Sequence, residues 1–209
     1  MIRQPIVDYY VEEGTRYNFA GWDIDGDGLV DDYPAMSNID LTAKAVYTTT
    51  PHKYLVTYYD MDNFTVLHQE EYSYGDILSL IENPTKLGYT FLGWTGSNGD
   101  EPQTSVTITK GSTGDKNFTA NWTANKYFVK YNPNNGLGVM SNSEHTYDIA
   151  KALTENTYTR AGYTFNGWNT KADGTGTPYA DGASVNNLSA TNGAVLCLRQ
   201  AYQTLYELA

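Results

Sequence analysis

Tyr54, Val56 and Tyr58 alternate with Leu55 and Thr57, a period-two pattern rich in aromatic and β-branched residues that predicts a strand. The pattern returns at Lys126-Tyr127-Phe128-Val129-Lys130-Tyr131, which runs toward Asn134-Asn135-Gly136, and the Asn-Gly step suits a tight hairpin turn needing positive φ. A hairpin is therefore expected to open each stretch. Farther along, Asp76 precedes Ile77, Leu80 and Ile81, and Asp148 precedes Ile149 and Leu153. An acidic N-terminal residue ahead of apolar positions on one face predicts a short helix in both places. Pro84 ends the first, and the second ends near Asn156. Tyr89-Phe91 and Tyr163-Phe165 predict third strands, each followed by a Gly/Asp-rich loop, and Phe118-Thr119-Ala120-Asn121-Trp122 predicts a closing strand. The expected order is β-β-α-β-β, an α+β, β-rich class.

The pattern recurs in one register. Phe19-Ala20-Gly21-Trp22, Phe91-Leu92-Gly93-Trp94 and Phe165-Asn166-Gly167-Trp168 set their Gly-Trp pairs 72 and 74 residues apart, and Lys53 and Lys126 open matching strands at a step of 73. Tyr74 before Asp76 returns as Tyr147 before Asp148, and Gly88-Tyr89-Thr90-Phe91 returns as Gly162-Tyr163-Thr164-Phe165. The chain thus divides into an incomplete module at 1–50 that carries an acidic, Asp-rich loop, modules at 51–124 and 125–200, and a C-terminal tail at 201–209. Only 18 residues precede Phe19, against 38 from Lys53 up to Phe91, so the first module lacks an opening hairpin or its helix. Either the chain is a fragment cut there, or Ile6-Val7-Asp8-Tyr9-Tyr10-Val11 supplies a replacement strand, or another chain fills the gap by strand addition, giving self-association through the incomplete module. Val195-Leu196-Cys197-Leu198 fits a last strand, and Arg199 to Ala209 is expected as a short helix or an extended tail.

The third module, in Tyr147-Asp148-Ile149-Ala150-Lys151-Ala152-Leu153, then Gly162 to Gly174, then Tyr179-Ala180-Asp181-Gly182, resembles the Listeria–Bacteroides repeat, or internalin B-repeat-like domain. The second module is similar through its first strand and its Gly-Tyr-Thr-Phe-Leu-Gly-Trp run, the first only through Tyr17 to Tyr47. The resemblance implies tandem β-grasp-like, ubiquitin-like modules on secreted or cell-surface bacterial proteins, serving as stalk or adhesion units. It implies no catalytic residues, and its partners would be a host or cell-surface protein or a glycan.

Composition narrows the choices. The 209 residues carry a net charge of −11, which repels phosphate backbones and anionic lipid surfaces, so neither nucleic acid nor membrane is an expected partner. A single cysteine, Cys197, leaves no intrachain disulfide and no Cys-rich zinc site. There is no run of about 18 apolar residues, and Met1-Ile2-Arg3-Gln4-Pro5 leads into no apolar signal core, so membrane insertion is not expected. An exported form would take its signal from a longer parent chain. His52, His68 and His145 have no metal-pair spacing, and no nucleophile turn or phosphate-cradling loop occurs, so the expectation is a protein that is not an enzyme.

One segment carries chemistry: Asp23-Ile24-Asp25-Gly26-Asp27-Gly28-Leu29-Val30-Asp31-Asp32, directly after Gly21-Trp22. Carboxylates at alternate positions followed by glycine match loop positions one, three, five and six of an EF-hand-type site, with the Leu29 carbonyl next and Asp31 at position nine. A structural calcium held by Asp23, Asp25, Asp27, Leu29 and Asp31 is the expectation, and a solvated acidic turn is the alternative. Pro34 stands at position twelve where the hand has glutamate, so the motif resembles the shorter aspartate loops of extracellular calcium repeats. Segment 1–51 holds nine acids and three bases, a net of −6, while the other 158 residues share −5, which concentrates negative charge at this loop.

Trp22, Trp94 and Trp168 share one repeat position, which favours core plugs over sugar-stacking platforms. Tyr59, Tyr72 and Tyr179 are candidate surface contacts, and Cys197 reads as an inert buried residue. Besides a calcium-stiffened stalk or adhesion module, two functions fit: a carbohydrate- or protein-binding accessory module of a secreted enzyme, and an extracellular filament subunit completed by strand addition.

Overall fold

A computed structural model describes residues 9–32, 42–79 and 81–204. The first strands are β1 (Tyr9–Glu12), β2 (Thr15–Asp23) and β3 (Lys44–Pro51), forming an antiparallel sheet in the order β1-β2-β3. Next come β4 (Lys53–Tyr59), β5 (Val66–Ser73), β6 (Leu78–Ser79), β7 (Tyr89–Gly96), β8 (Gly99–Gln103), β9 (Thr107–Ile108) and β10 (Lys116–Ala124). The last set is β11 (Lys126–Asn132), β12 (Ser143–Thr146), β13 (Lys151–Ala152), β14 (Tyr163–Asn169), β15 (Pro178–Tyr179), β16 (Ser184–Val185) and β17 (Val195–Thr204). Two five-stranded sheets result, β5-β4-β10-β7-β8 and β12-β11-β17-β14-β15. In each, the opening strand lies parallel to the closing one: Val56 faces Lys116, and Val129 faces Leu196. The chain forms two compact units, Met1–Glu82 with Gly93–Asn121, and Asn83–Leu92 with Trp122–Ala209.

The predicted helices are absent, and the α+β class with β-β-α-β-β modules is corrected to an all-β fold among the described residues. Where helices were expected, β6 pairs with β9 and β13 pairs with β16 as two-stranded ribbons. The reason is local. Asp76 Oδ2 accepts from Ser73 N (2.7 Å), and Asp76 N donates to Ser73 O (2.9 Å), closing a turn where a helix start was expected. Asp148 sits at φ 59°, outside the helical region, with its N–H given to Asn187 Oδ1 (2.6 Å). Stretches this short also fall below the length at which a helix holds by itself. The apolar face is broken accordingly: Ile77 is 71% and Ile149 58% exposed, while Leu153 is buried with Val185. Leu80, the second member of the first expected face, lies outside the described residues, and Ile81 is half-buried.

Positive φ does occur at Asn134 (45°) and Asn135 (70°), and Gly136 N closes the turn onto Pro133 O at 2.8 Å. The turn is centred one residue earlier than the Asn-Gly step. It does not join the strands tightly either, because β11 and β12 pair only through Lys126–Val129 and Ser143–Thr146. At the other end β17 runs as strand to Thr204 against β14, so the first part of the tail is extended. Residues 6–8 and 205–209 lie outside the described residues, as does Pro34. Tyr9 to Val11 of the proposed replacement strand belong to β1, which hairpins onto β2 through Glu13-Gly14.

Both complete sheets are plugged by an indole. Trp94 and Trp168 are 0% exposed, and each meets an aromatic from the opening strand: Tyr58 lies 5.3 Å from Trp94, and Tyr131 lies 4.8 Å from Trp168, between ring centroids. Trp22 is only half-buried, against Phe19 at 5.3 Å, because no strand equivalent to β4 or β11 lies on the outer edge of β3 among the described residues. Tyr72 is not a surface contact but a core residue whose hydroxyl donates to Gly114 O at 2.6 Å, whereas Tyr59 and Tyr179 are half-buried. Cys197 is half-buried rather than enclosed.

His145 is buried in the second unit, stacked on Tyr127 with centroids 5.4 Å apart and with Nε2 2.9 Å from Ser143 Oγ. Burial first, then the nearby Lys151 charge, holds its pKa below the ordinary 6.5. The unfolded chain therefore takes up a proton that the folded state refuses. This contribution is fully present above pH 6.5, declines as pH falls below it, and levels off beneath the folded pKa. Melting temperatures of parent and His145→Gln measured from pH 7.5 to 5 should converge as the solution is acidified; parallel curves would remove histidine as the cause.

Candidate cation loop and the repeat junctions

After the first and third Gly-Trp pairs the next residue starts a loop, and its side chain builds it. Buried Asn169 accepts at Oδ1 from Lys171 N (2.9 Å) and Gly176 N (3.0 Å), and donates from Nδ2 to Gly174 O (3.1 Å). Asp23 holds the same place after Trp22. It is buried, and its Oδ1 accepts from Gly26 N (2.6 Å) and its Oδ2 from Gly28 N (3.1 Å). Gly26 and Gly28 have φ of 88° and 87°, a backbone that L side chains rarely adopt. Asp25 Oδ1 accepts from Asp27 N (3.0 Å), and Asp27 Oδ1 from Leu29 N (2.8 Å). These turns bring one carboxylate oxygen each of Asp23, Asp25 and Asp27 within 4.8 Å of one another, a donor set able to chelate a divalent cation.

Asp31 stands outside that group. Its Oδ2 accepts from Ile24 N (2.6 Å) and Asp25 N (3.3 Å), and its own N–H donates to Trp22 O (2.9 Å), tying the end of the loop to its start. Leu29 is 67% exposed, and the group expected to serve as ligand there is its backbone carbonyl. Three of the five predicted ligands thus converge through their side chains.

A second feature escaped the sequence reading. Gly14 and Gly88, 74 positions apart, have φ of 73° and 79° and are both buried. The residue between successive sheets donates its backbone N–H to each: His52 to Gly14 O (2.7 Å) and Asn125 to Gly88 O (2.8 Å). The tyrosine of the following repeat fills the space that a Cβ would need, Tyr74 at Gly14 and Tyr147 at Gly88. At the second junction Asn125 is also satisfied at its side chain, by Thr90 Oγ1 (2.6 Å) and Ala190 O (2.7 Å), and its carbonyl accepts from Tyr147 N (2.9 Å). Tyr89 donates its hydroxyl to Asp148 Oδ2 (2.9 Å), a contact that raises the phenol pKa. The step from Gly14 through Gly88 to Gly162 was the available signal, masked by the unlike residues around Gly14.

Repeated indole-plugged sheets joined by a repeated junction define a tandem-repeat protein. The chain belongs to the Listeria-Bacteroides repeat domain family, whose pattern matches residues 54–121 and 127–191. It is a non-catalytic, extracellular surface-type repeat module. A putative Gly-rich membrane protein of Evansella cellulosilytica is 28% identical over 186 residues, covering 82% of this chain and 20% of that protein. A putative membrane protein of the same organism is 30% identical over 137 residues, covering 63% of this chain and 20% of its own length. The chain therefore spans about one fifth of the curated relatives it matches. Among solved structures, the type 2 repeat of the mucus binding protein MUB from Lactobacillus reuteri shares 13% identity, covering 73% of this chain and 98% of that one, at a TM-score of 0.18. A likeness of that degree decides neither fold nor ligand. No helix among the described residues is long and apolar enough to cross a membrane.

Proposed function

We propose that this chain is a spacer segment of a bacterial surface protein, which carries a region that binds a host or cell-surface protein or a glycan. The observation behind this reading is the recurring junction: a backbone hydrogen bond onto a buried positive-φ glycine, covered by the next repeat's tyrosine. Small repeats bury too little surface to be robust alone, so neighbour contacts carry a large share of their stability. In 15N relaxation, amides of residues 88–92 and of β11, on the two sides of the junction within the second unit, should report one rotational correlation time. Two independent times would mean beads on a flexible string and would remove the spacer role.

The second part of the proposal is calcium, held by Asp23, Asp25 and Asp27, with the Leu29 carbonyl and Asp31 completing the shell. Support comes from the oxygen cluster and from the charge concentrated in this segment. Loops of extracellular modules bind calcium at about 10⁻⁴–10⁻³ M, and a tenfold excess over Kd adds about 1.4 kcal/mol to stability. Millimolar calcium should therefore raise the melting temperature of the parent by several degrees and leave the Asp25→Asn, Asp27→Asn double variant where it is. An unmoved parent identifies an ordinary acidic turn.

The outer edge of β3, open among the described residues, supports a further reading, self-association by strand addition, because β10 and β17 each carry a parallel strand on the corresponding edge. Sedimentation at rising concentration tests it. A species that stays monomeric throughout removes it.

A further inference from the structure

Gly162 is the third glycine of the junction series, 74 positions after Gly88, with φ of 78° against 79°. At Gly14 and Gly88 a tyrosine occupies the Cβ space, whereas at Gly162 nothing among the described residues comes within 4 Å of it and the residue is exposed. The fittings around it are otherwise those of the filled junction. Arg160 lies over Tyr163 (3.9 Å to the centroid) and Tyr202 (4.7 Å), as Lys86 lies over Tyr89 (5.3 Å) and Trp122 (5.9 Å). Tyr163, the counterpart of the Tyr89 that donates to Asp148, is 36% exposed.

We infer that Gly162 and Tyr163 form a vacant junction socket that receives the tyrosine turn of a further repeat of this family. The occupant presents a tyrosine ring to the flat face of Gly162, a carboxylate just after it to accept the Tyr163 hydroxyl, and a linking backbone N–H to the Gly162 carbonyl. Those are the three contacts that Tyr147, Asp148 and Asn125 make at the filled junction. A second copy of this chain is a poor occupant, since its Tyr74 and Tyr147 are already seated on its own Gly14 and Gly88. The inference rests on the spacer reading and extends it, by naming the contact through which a further repeat docks on this one.

The test compares the full chain with an extended one, in which residues 1–204 run directly into a second copy of 125–209, repeating the step from 124 to 125. The amides of Gly162 and Tyr163 should shift in the extended chain, and hydrogen exchange at the added tyrosine turn should slow by about tenfold or more relative to Gly162→Asn in that chain. Asparagine accepts positive φ, so Gly162→Asn should move the parent melting temperature by only about 2 °C. Unshifted amides, or exchange at the added turn insensitive to Gly162→Asn, overturn the socket. Gly88→Asn in the parent separates this from failure of the spacer reading. If it speeds exchange at Tyr147 while Gly162→Asn does nothing to the added turn, only the socket falls; if neither has an effect, the spacer reading falls as well.

Discussion

Trp168→Ala should destabilise the second unit by about 3–5 kcal/mol, the cost of emptying a large aromatic site in a packed core. The ring is 0% exposed and sits among Tyr131 (4.8 Å), Phe165 (5.2 Å) and Tyr158 (6.3 Å), with Leu153 and Leu198 in the same cluster. Its Nε1 is buried with no hydrogen-bond partner, so the indole contributes through packing, and phenylalanine should recover much of the loss. Against a total of about 5–15 kcal/mol for a typical domain, the alanine variant sits at or near unfolding. Trp22→Ala is the comparison. That indole is half-buried and lacks the opening-strand tyrosine, so about 1–2 kcal/mol is expected from its smaller buried area. Urea titrations followed by far-UV circular dichroism distinguish the two. Equal losses would mean that the first sheet is as fully packed as the others, contrary to the edge of β3 that is open among the described residues.

Gly88→Val should cost about 2–5 kcal/mol and weaken the tie between successive repeats. Two penalties add. A β-branched side chain at φ 79° costs about 1–2 kcal/mol in backbone strain, and forcing it against the Tyr147 ring adds about 1–3 kcal/mol of overpacking. Gly174→Val separates them, because Gly174 has φ of 76° but open space where the Cβ would go, so only the backbone penalty applies. Denaturation of Gly88→Val should also lose cooperativity. Comparable losses at the two positions would show that Tyr147 moves aside freely, and the junction would then contribute little to stiffness.

The repeat register, the strands at 54–58, 89–91, 118–122 and 163–165, and the plugging role of Trp94 and Trp168 were legible in the residues. Period-two alternation and recurrence at a fixed step are local and additive signals. The convergence of Asp23, Asp25 and Asp27 was equally legible, since an alternating acidic run with glycines forms its turns from neighbouring backbone N–H groups. The helices were misread because apolar spacing over eight or so residues suits a ribbon as well as a helix. What decides between them is long-range: Ile108 and Val185 lie far along the chain from the Leu78 and Lys151 they pair with.

By itself, then, the amino-acid order determined a tandem array, its strand-forming stretches, its acidic loop and its buried indoles, because each depends on residues near one another along the chain. Tertiary structure alone decided that Trp22 is half-covered while its two counterparts are enclosed. It alone showed that the same glycine is filled at Gly14 and Gly88 yet, among the described residues, open at Gly162. Each of these turns on which distant segment arrives at a given surface. That is set by packing and strand pairing between residues tens of positions apart, about which a local pattern carries no information.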